Sequence, residues 1–240
     1  MLGPLLFILN TSEMFELLEN KQYAYADDTT LLAVVRKPTD RPAVAVFLNR
    51  DLSRIQEWCN HWCMILYPNK MQALLVSRSK TVNPPHGDLV LSVVSICASP
   101  KINILGVKYD SRLTLKDHVR GIVSHVSQRI GVFDVGEHVF VDTTVLLSCY
   151  YSFVLQILEY CSPVWGFAAE CHLQLLERPV YSVARLCHDQ TFLLLCHRRH
   201  VGALCMLYKF NSNSNYCLFS ELPSDSAEFV TIELQRQLIH

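Results

Sequence analysis

At 240 residues, half of them apolar and 18% charged, the chain is long enough for one large domain or two small ones and too apolar to be disordered. A net charge of −1 excludes the globally basic surface common among nucleic-acid binders, so any such contact falls to local clusters. Ten scattered cysteines exclude a framed disulfide scaffold and read as reduced thiols of an intracellular protein, and no apolar run reaches the roughly 18 residues of a membrane helix.

The opening run from Met1 to Leu9 is apolar but short, with no basic leader and no cleavage pattern, so it does not read as a signal peptide. It reads instead as a domain cut within a hydrophobic segment. Past Gly3-Pro4, the residues Leu5, Leu6, Leu9, Met14, Leu17 and Leu18 predict a broken helical segment. Lys21–Tyr25 and Thr29–Val35 have strand composition, and Asp27-Asp28 between them reads as the turn pair of a tight hairpin. Asp40-Arg41-Pro42 predicts a helix start with a capping Asp and an early proline. Val44, Leu48, Leu52, Ile55, Cys59 and Trp62 give that helix one apolar face, and Pro68-Asn69 ends the element. Met71–Val76, Asp88–Cys97 and Lys101–Tyr109 read as strands separated by turn residues.

Beyond residue 112 the pattern turns helical. Thr114–Asp117 resembles a capping box, followed by the stripe Leu115, Val119, Ile122, Val123, Val126 and Ile130. Asp142 is placed to cap a helix through Val145, Leu146, Cys149, Phe153 and Ile157, which Ser162-Pro163 breaks. Further helical patterns cover Cys171–Leu186 and Arg198–Phe210, and Pro179 inside the first costs about 3 kcal/mol unless it makes a kink. The expected class is α+β, with residues 1–112 and 113–215 as two regions and 216–240 as an unassigned tail.

The adjacent carboxylates of Asp27 and Asp28 repel, so burying them without a cation is costly, and their useful role is to hold a divalent metal through hard oxygen donors. The plain alternative is a solvated acidic turn. Cys59-Asn60-His61-Trp62-Cys63 invites zinc, but Cys59 and Trp62 fall on the apolar face of a helix and no second ligand pair is suitably spaced, so core packing is preferred. Arg120, Arg129 and Arg198-Arg199-His200 are candidates for phosphate contact, with an ordinary solvated helix face as the commoner reading.

Five stretches in order carry a resemblance: Leu2-Gly3-Pro4-Leu5-Leu6-Phe7, Tyr25-Ala26-Asp27-Asp28-Thr29-Thr30, Trp62 through Tyr67-Pro68-Asn69-Lys70-Met71, Ile104–Asp110 with Leu113–Val119, and Leu158-Glu159-Tyr160-Cys161-Ser162-Pro163-Val164-Trp165-Gly166. Over about residues 2–223 the chain resembles the C-terminal part of the reverse transcriptase of a non-long-terminal-repeat, jockey-like retrotransposon. The resemblance implies a partial polymerase palm over 1–112, an antiparallel sheet with helices, followed by an all-helical thumb-like region. It implies Mg²⁺ or Mn²⁺ on Asp27 and Asp28, with Lys70 near the triphosphate as the third catalytic residue. Gly3, Pro4, Tyr25 and Gly106 are the implied nucleic-acid contacts, Gly106 at the hairpin that holds the primer. RNA template, DNA primer and deoxynucleotide triphosphates are the implied partners, and the nucleus is the implied location, with no membrane partner.

The chain departs from the family pattern in several places. The family's first palm aspartate and its fingers precede the block at Leu2, and Tyr67 and Met71 stand where Asn and Thr are usual around Lys70. The isolated 240 residues are therefore expected to lack polymerase activity. The alternatives are a residual nucleic-acid-binding or interaction module built on the helical half, and a decayed element copy with no function.

Overall fold

The computed structural model describes residues 2–67, 70–77, 89–91, 94–96, 98–136, 143–186, 195–212 and 228–238. The chain opens with helix α1 (Leu2–Glu16), then strands β1 (Lys21–Tyr25) and β2 (Asp28–Val35), and helix α2 (Arg41–His61). Strands β3 (Met64–Leu66), β4 (Gln72–Val76), β5 (Leu89–Leu91), β6 (Val94–Ile96), β7 (Lys101–Ile104) and β8 (Val107–Asp110) follow. The helical stretch holds α3 (Lys116–Gly136), α4 (Thr143–Cys149) continued by a π-helical segment (Tyr150–Leu155), α5 (Gln156–Glu159), α6 (Ser162–Trp165), α7 (Glu170–Leu173), α8 (Glu177–Leu186) and α9 (Leu195–Ser212). Strand β9 (Glu228–Leu238) comes last. The class is α+β, and the chain divides into two compact units.

Unit 1 comprises residues 1–104, 110–113 and 223–240. Its main sheet has the order β1-β2-β9-β3, with β4 also on β9, and every pairing is antiparallel. β9 is the central strand: one edge pairs with all of β2, and the other pairs with β4 and then β3. The tail to which the sequence reading gave no role therefore closes the sheet. On β2 every second residue is buried (Thr29, Leu31, Ala33, Val35), the period-2 pattern of a strand with one face on the core. Val230 to Leu234 of β9 are buried without alternation, as expected of a central strand covered on both faces.

Helix α2 supplies the other side of this core through Ala45, Leu48, Leu52, Ile55, Trp58 and Cys59. Two expectations fail here. Asp40 makes no capping bond, because it ends a short 3₁₀ turn and has helical backbone angles, whereas a capping residue is normally extended. Trp62 is 43% exposed beyond the helix end, and Trp58 is the buried tryptophan. Their rings lie 6.3 Å apart. Helix α1 runs unbroken because Gly3 and Pro4 fall in its first turn, where a proline breaks no intrahelical hydrogen bond. It buries only Thr11 and Met14 fully.

Unit 2 comprises residues 105–109 and 114–222. Leu115, Val119, Ile122, Val126 and Ile130 form the buried stripe at the start and along the described part of α3. They pack with Tyr150, Val154, Leu158, Trp165, Leu176, Val180 and Val183. Trp165 is fully buried and donates its indole N–H to the Tyr160 carbonyl at 2.7 Å, so the ring keeps its polar atom satisfied. Pro179 causes no break: α8 starts at Glu177, so the proline sits in the first turn. The proposed cap at Asp142 lies outside the described residues.

Candidate functional site

The hairpin carrying Asp27 and Asp28 is tighter than the sequence suggests. Tyr25 pairs with Asp28, so the two-residue turn is Ala26-Asp27 and not Asp27-Asp28. Ala26 has φ 53°, the left-handed conformation that two-residue hairpin turns demand at their first position. Asp27 is exposed at the tip, Asp28 is half-buried as the first residue of β2, and Tyr25 is 69% exposed.

What aims this hairpin is a residue absent from the sequence reading. Asp51 on α2 is fully buried, and its carboxylate accepts from the backbone N–H groups of Glu19 and Asn20 at 3.0 and 2.9 Å and from the Asn20 side chain at 2.7 Å. Arg54 pairs with it at 3.4 Å. A buried charge with several donors is strongly held, and here it clamps the segment that enters β1. Gln22 adds a bond to the Phe15 carbonyl at 3.0 Å, tying the first strand to α1.

Across the sheet a third carboxyl joins the pair. Glu233 on β9 sits opposite Thr30 on β2 and Gln72 on β4, and Asp28 is two residues from Thr30 on the same face. Glu233 is 4% exposed; burial first, and then the charge of Asp28, pushes its carboxyl up to about 7. The signal for it in the sequence is the strand-like run Phe229-Val230-Thr231-Ile232 ahead of it.

Lys70 is exposed, its N–H donates to the Tyr67 carbonyl at 3.0 Å, and its ammonium lies 5.1 Å from the centre of the Tyr67 ring. It precedes Gln72 by two residues, just as Asp28 precedes Thr30, and Gln72 and Thr30 both pair with Glu233. By register, Asp27, Asp28, Glu233 and the approach to β4 thus share one end of the sheet, with β2 and β4 about 10 Å apart across β9. Gly3 and Pro4 are exposed on the first turn of α1, and a side chain at Gly3 would meet open space.

Gly106 belongs to unit 2. With Leu105 it forms the two-residue tip between β7 and β8, and both have positive φ (47° and 81°), which makes it a turn glycine. The Tyr160 hydroxyl donates to the Leu105 carbonyl at 2.8 Å, and a Cβ on Gly106 would lie 3.5 Å from the Tyr160 ring. Of the basic cluster on α9, Arg199, 7% exposed, is turned inward and pairs with Glu177 at 3.5 Å beside the Trp165 ring, Arg198 is half-buried and pairs with Glu159, and His200 is exposed. Arg129 donates to the Phe153 carbonyl at 3.0 Å.

Among the described residues, no three His, Cys, Asp or Glu side chains are grouped to hold a metal ion. Asp27 and Asp28 nevertheless offer the hard oxygens that Mg²⁺ takes, and Mg²⁺ commonly uses one or two carboxylates with water and substrate phosphates completing its shell, so the donor set fits. The seven described cysteines are free thiols, and no helix among the described residues is long and apolar enough to cross a membrane. Compared with protein-family models, with curated proteins and with solved structures, the chain matches none.

Proposed function

We propose that the chain is a palm segment and helical region of an RNA-directed DNA polymerase from a non-long-terminal-repeat retrotransposon, acting on RNA template, DNA primer and deoxynucleotide triphosphates in the nucleus. The observation that carries this is the antiparallel hairpin with Asp27 at its exposed tip and Asp28 opening β2. Mg²⁺ or Mn²⁺ bound there would supply activation of a primer hydroxyl and charge stabilisation on the leaving pyrophosphate. The chain's own part is positional. Asp51 fixes the strand that leads into the tip, Asp27 and Asp28 present carboxylate oxygens, and Lys70 offers a cation for phosphate at the same end of the sheet. Glu233, protonated up to about pH 7, would remain neutral below that value and so lessen repulsion beside Asp28.

The test is Mn²⁺ binding followed by water-proton relaxation. Saturable binding is expected, weakened about tenfold or more by Asp27→Ala and nearly abolished by Asp27→Ala with Asp28→Ala. Binding unchanged in the double variant would refute the assignment. A template-primer extension assay on the 240 residues is expected to show no incorporation, since of the family's metal-binding carboxylates these residues hold only those of the hairpin.

A further inference from the structure

Unit 2 contains a cleft of about 410 Å³ whose lining is chemically one-sided. Lys108 and His125 supply cationic or donor groups, Gln156 an amide, and among the described residues no carboxylate lines it. The Lys108 ammonium lies over Gly121 of α3, 4.0 Å from where a Cβ would stand. Ile122, Ile157 and the Tyr160 ring form the apolar remainder.

His118 is the informative member. Its Nδ1 accepts from the Lys108 backbone N–H at 3.4 Å, which assigns the proton of the neutral ring to Nε2. That Nε2 is buried with no hydrogen-bond partner among the described residues, and the residue is 7% exposed. A buried donor left unmade costs of the order of 1–3 kcal/mol, so such groups call for a ligand or water. Burial, and then the Lys108 charge, holds the imidazole below the usual histidine range, so it is a neutral donor at neutral pH.

We propose that this cleft binds a small organic oxyanion on an apolar body, of the aryl carboxylate or aryl phosphate class, with the oxyanion at Lys108 and the His118 N–H and the ring against Ile122, Ile157 and Tyr160. The volume is in the range of small-molecule sites, and donors with a lone ammonium select an anion over a cation. The site goes beyond the polymerase reading: its occupant is a small molecule and its residues are distinct from the Asp27 hairpin.

The experiment is calorimetric titration of the full chain with benzoate, phenyl phosphate, inorganic phosphate and benzyl alcohol, with His118 ring resonances followed by NMR. Saturable binding of benzoate or phenyl phosphate is expected, and which of the two binds tighter identifies the oxyanion. The His118 signals should move, and benzyl alcohol and inorganic phosphate should each bind at least about tenfold more weakly. Lys108→Met should weaken the anion by about tenfold or more. Gly121→Leu, a change to a better helix former, should fill the cleft and abolish binding while circular dichroism stays native. No saturable binding of either aryl anion below about 10 mM, equal binding of benzyl alcohol, or wild-type affinity in both variants would overturn the proposal.

Discussion

In unit 1 the sheet is completed by a strand about 200 residues downstream of the one it pairs with, whereas unit 2 assembles its core from helices that follow one another within residues 105–222. The polar groups are arranged oppositely as well. Unit 2 ties two arginines of α9 to its own glutamates, Arg198 to Glu159 and Arg199 to Glu177, and so uses them in packing that helix. Unit 1 holds one carboxylate, Asp51, under several donors and presents another, Asp27, to solvent. A surface cluster of basic residues is thus a poor guide to nucleic-acid contact until its partners are known.

The contrast can be broken most severely by deleting residues 228–240. Unit 1 loses its central strand and the partners of β2, β3 and β4, and is expected to unfold outright, while amides of α3 remain protected in hydrogen exchange. Equal loss of protection in both units would show that they are not separable. Asp51→Ala comes next. It strands the N–H groups of Glu19 and Asn20 and should cost roughly 3 kcal/mol in urea unfolding, with an intermediate cost for Asp51→Asn.

Glu233 yields a pH signature. Its folded pKa near 7 lies above the unfolded carboxyl value, so the folded state holds the proton more tightly. Stability should therefore be greatest below about pH 4.5 as far as this group is concerned, fall as pH rises toward 7, and level off above it. The loss is of the order of 3 kcal/mol, and Glu233→Gln should flatten that slope and be the more stable form at pH 8. An identical slope in the variant would place the titration elsewhere. The smallest effect is expected from Tyr160→Phe, which removes the bond to the Leu105 carbonyl at a turn residue with positive φ and should lower the melting free energy by about 1 kcal/mol.

Much of this architecture could be read from periodicity. The arms of the β1–β2 hairpin, most of the inward face of α2 and the stripe on α3 all follow from spacing, because each is a local pattern facing a single core. The turn register was misread by one residue because Asp-Asp composition favours a turn more than Ala-Asp does, and strand pairing overrode composition. Trp58 was overlooked in favour of Trp62, since both extend the same helical spacing and only the helix end distinguishes them. β9 does alternate in sequence, from Val230 to Gln235, but its partners β2 and β4 lie more than 150 residues upstream and no local pattern assigns them; Asp51 looked like any exposed helix acid until tertiary contacts gave it donors.

The position of β9 also sets an order of events during synthesis. Every helix of unit 2 is made before the strand that completes unit 1, so the ribosome exposes β2 and β4 for the time needed to translate more than a hundred further residues. Their unpaired edges are templates for intermolecular pairing throughout that interval. Slow translation of the helical region should therefore lower the soluble yield of this chain, and early binding of a chaperone to residues 28–35 and 72–76 should restore it.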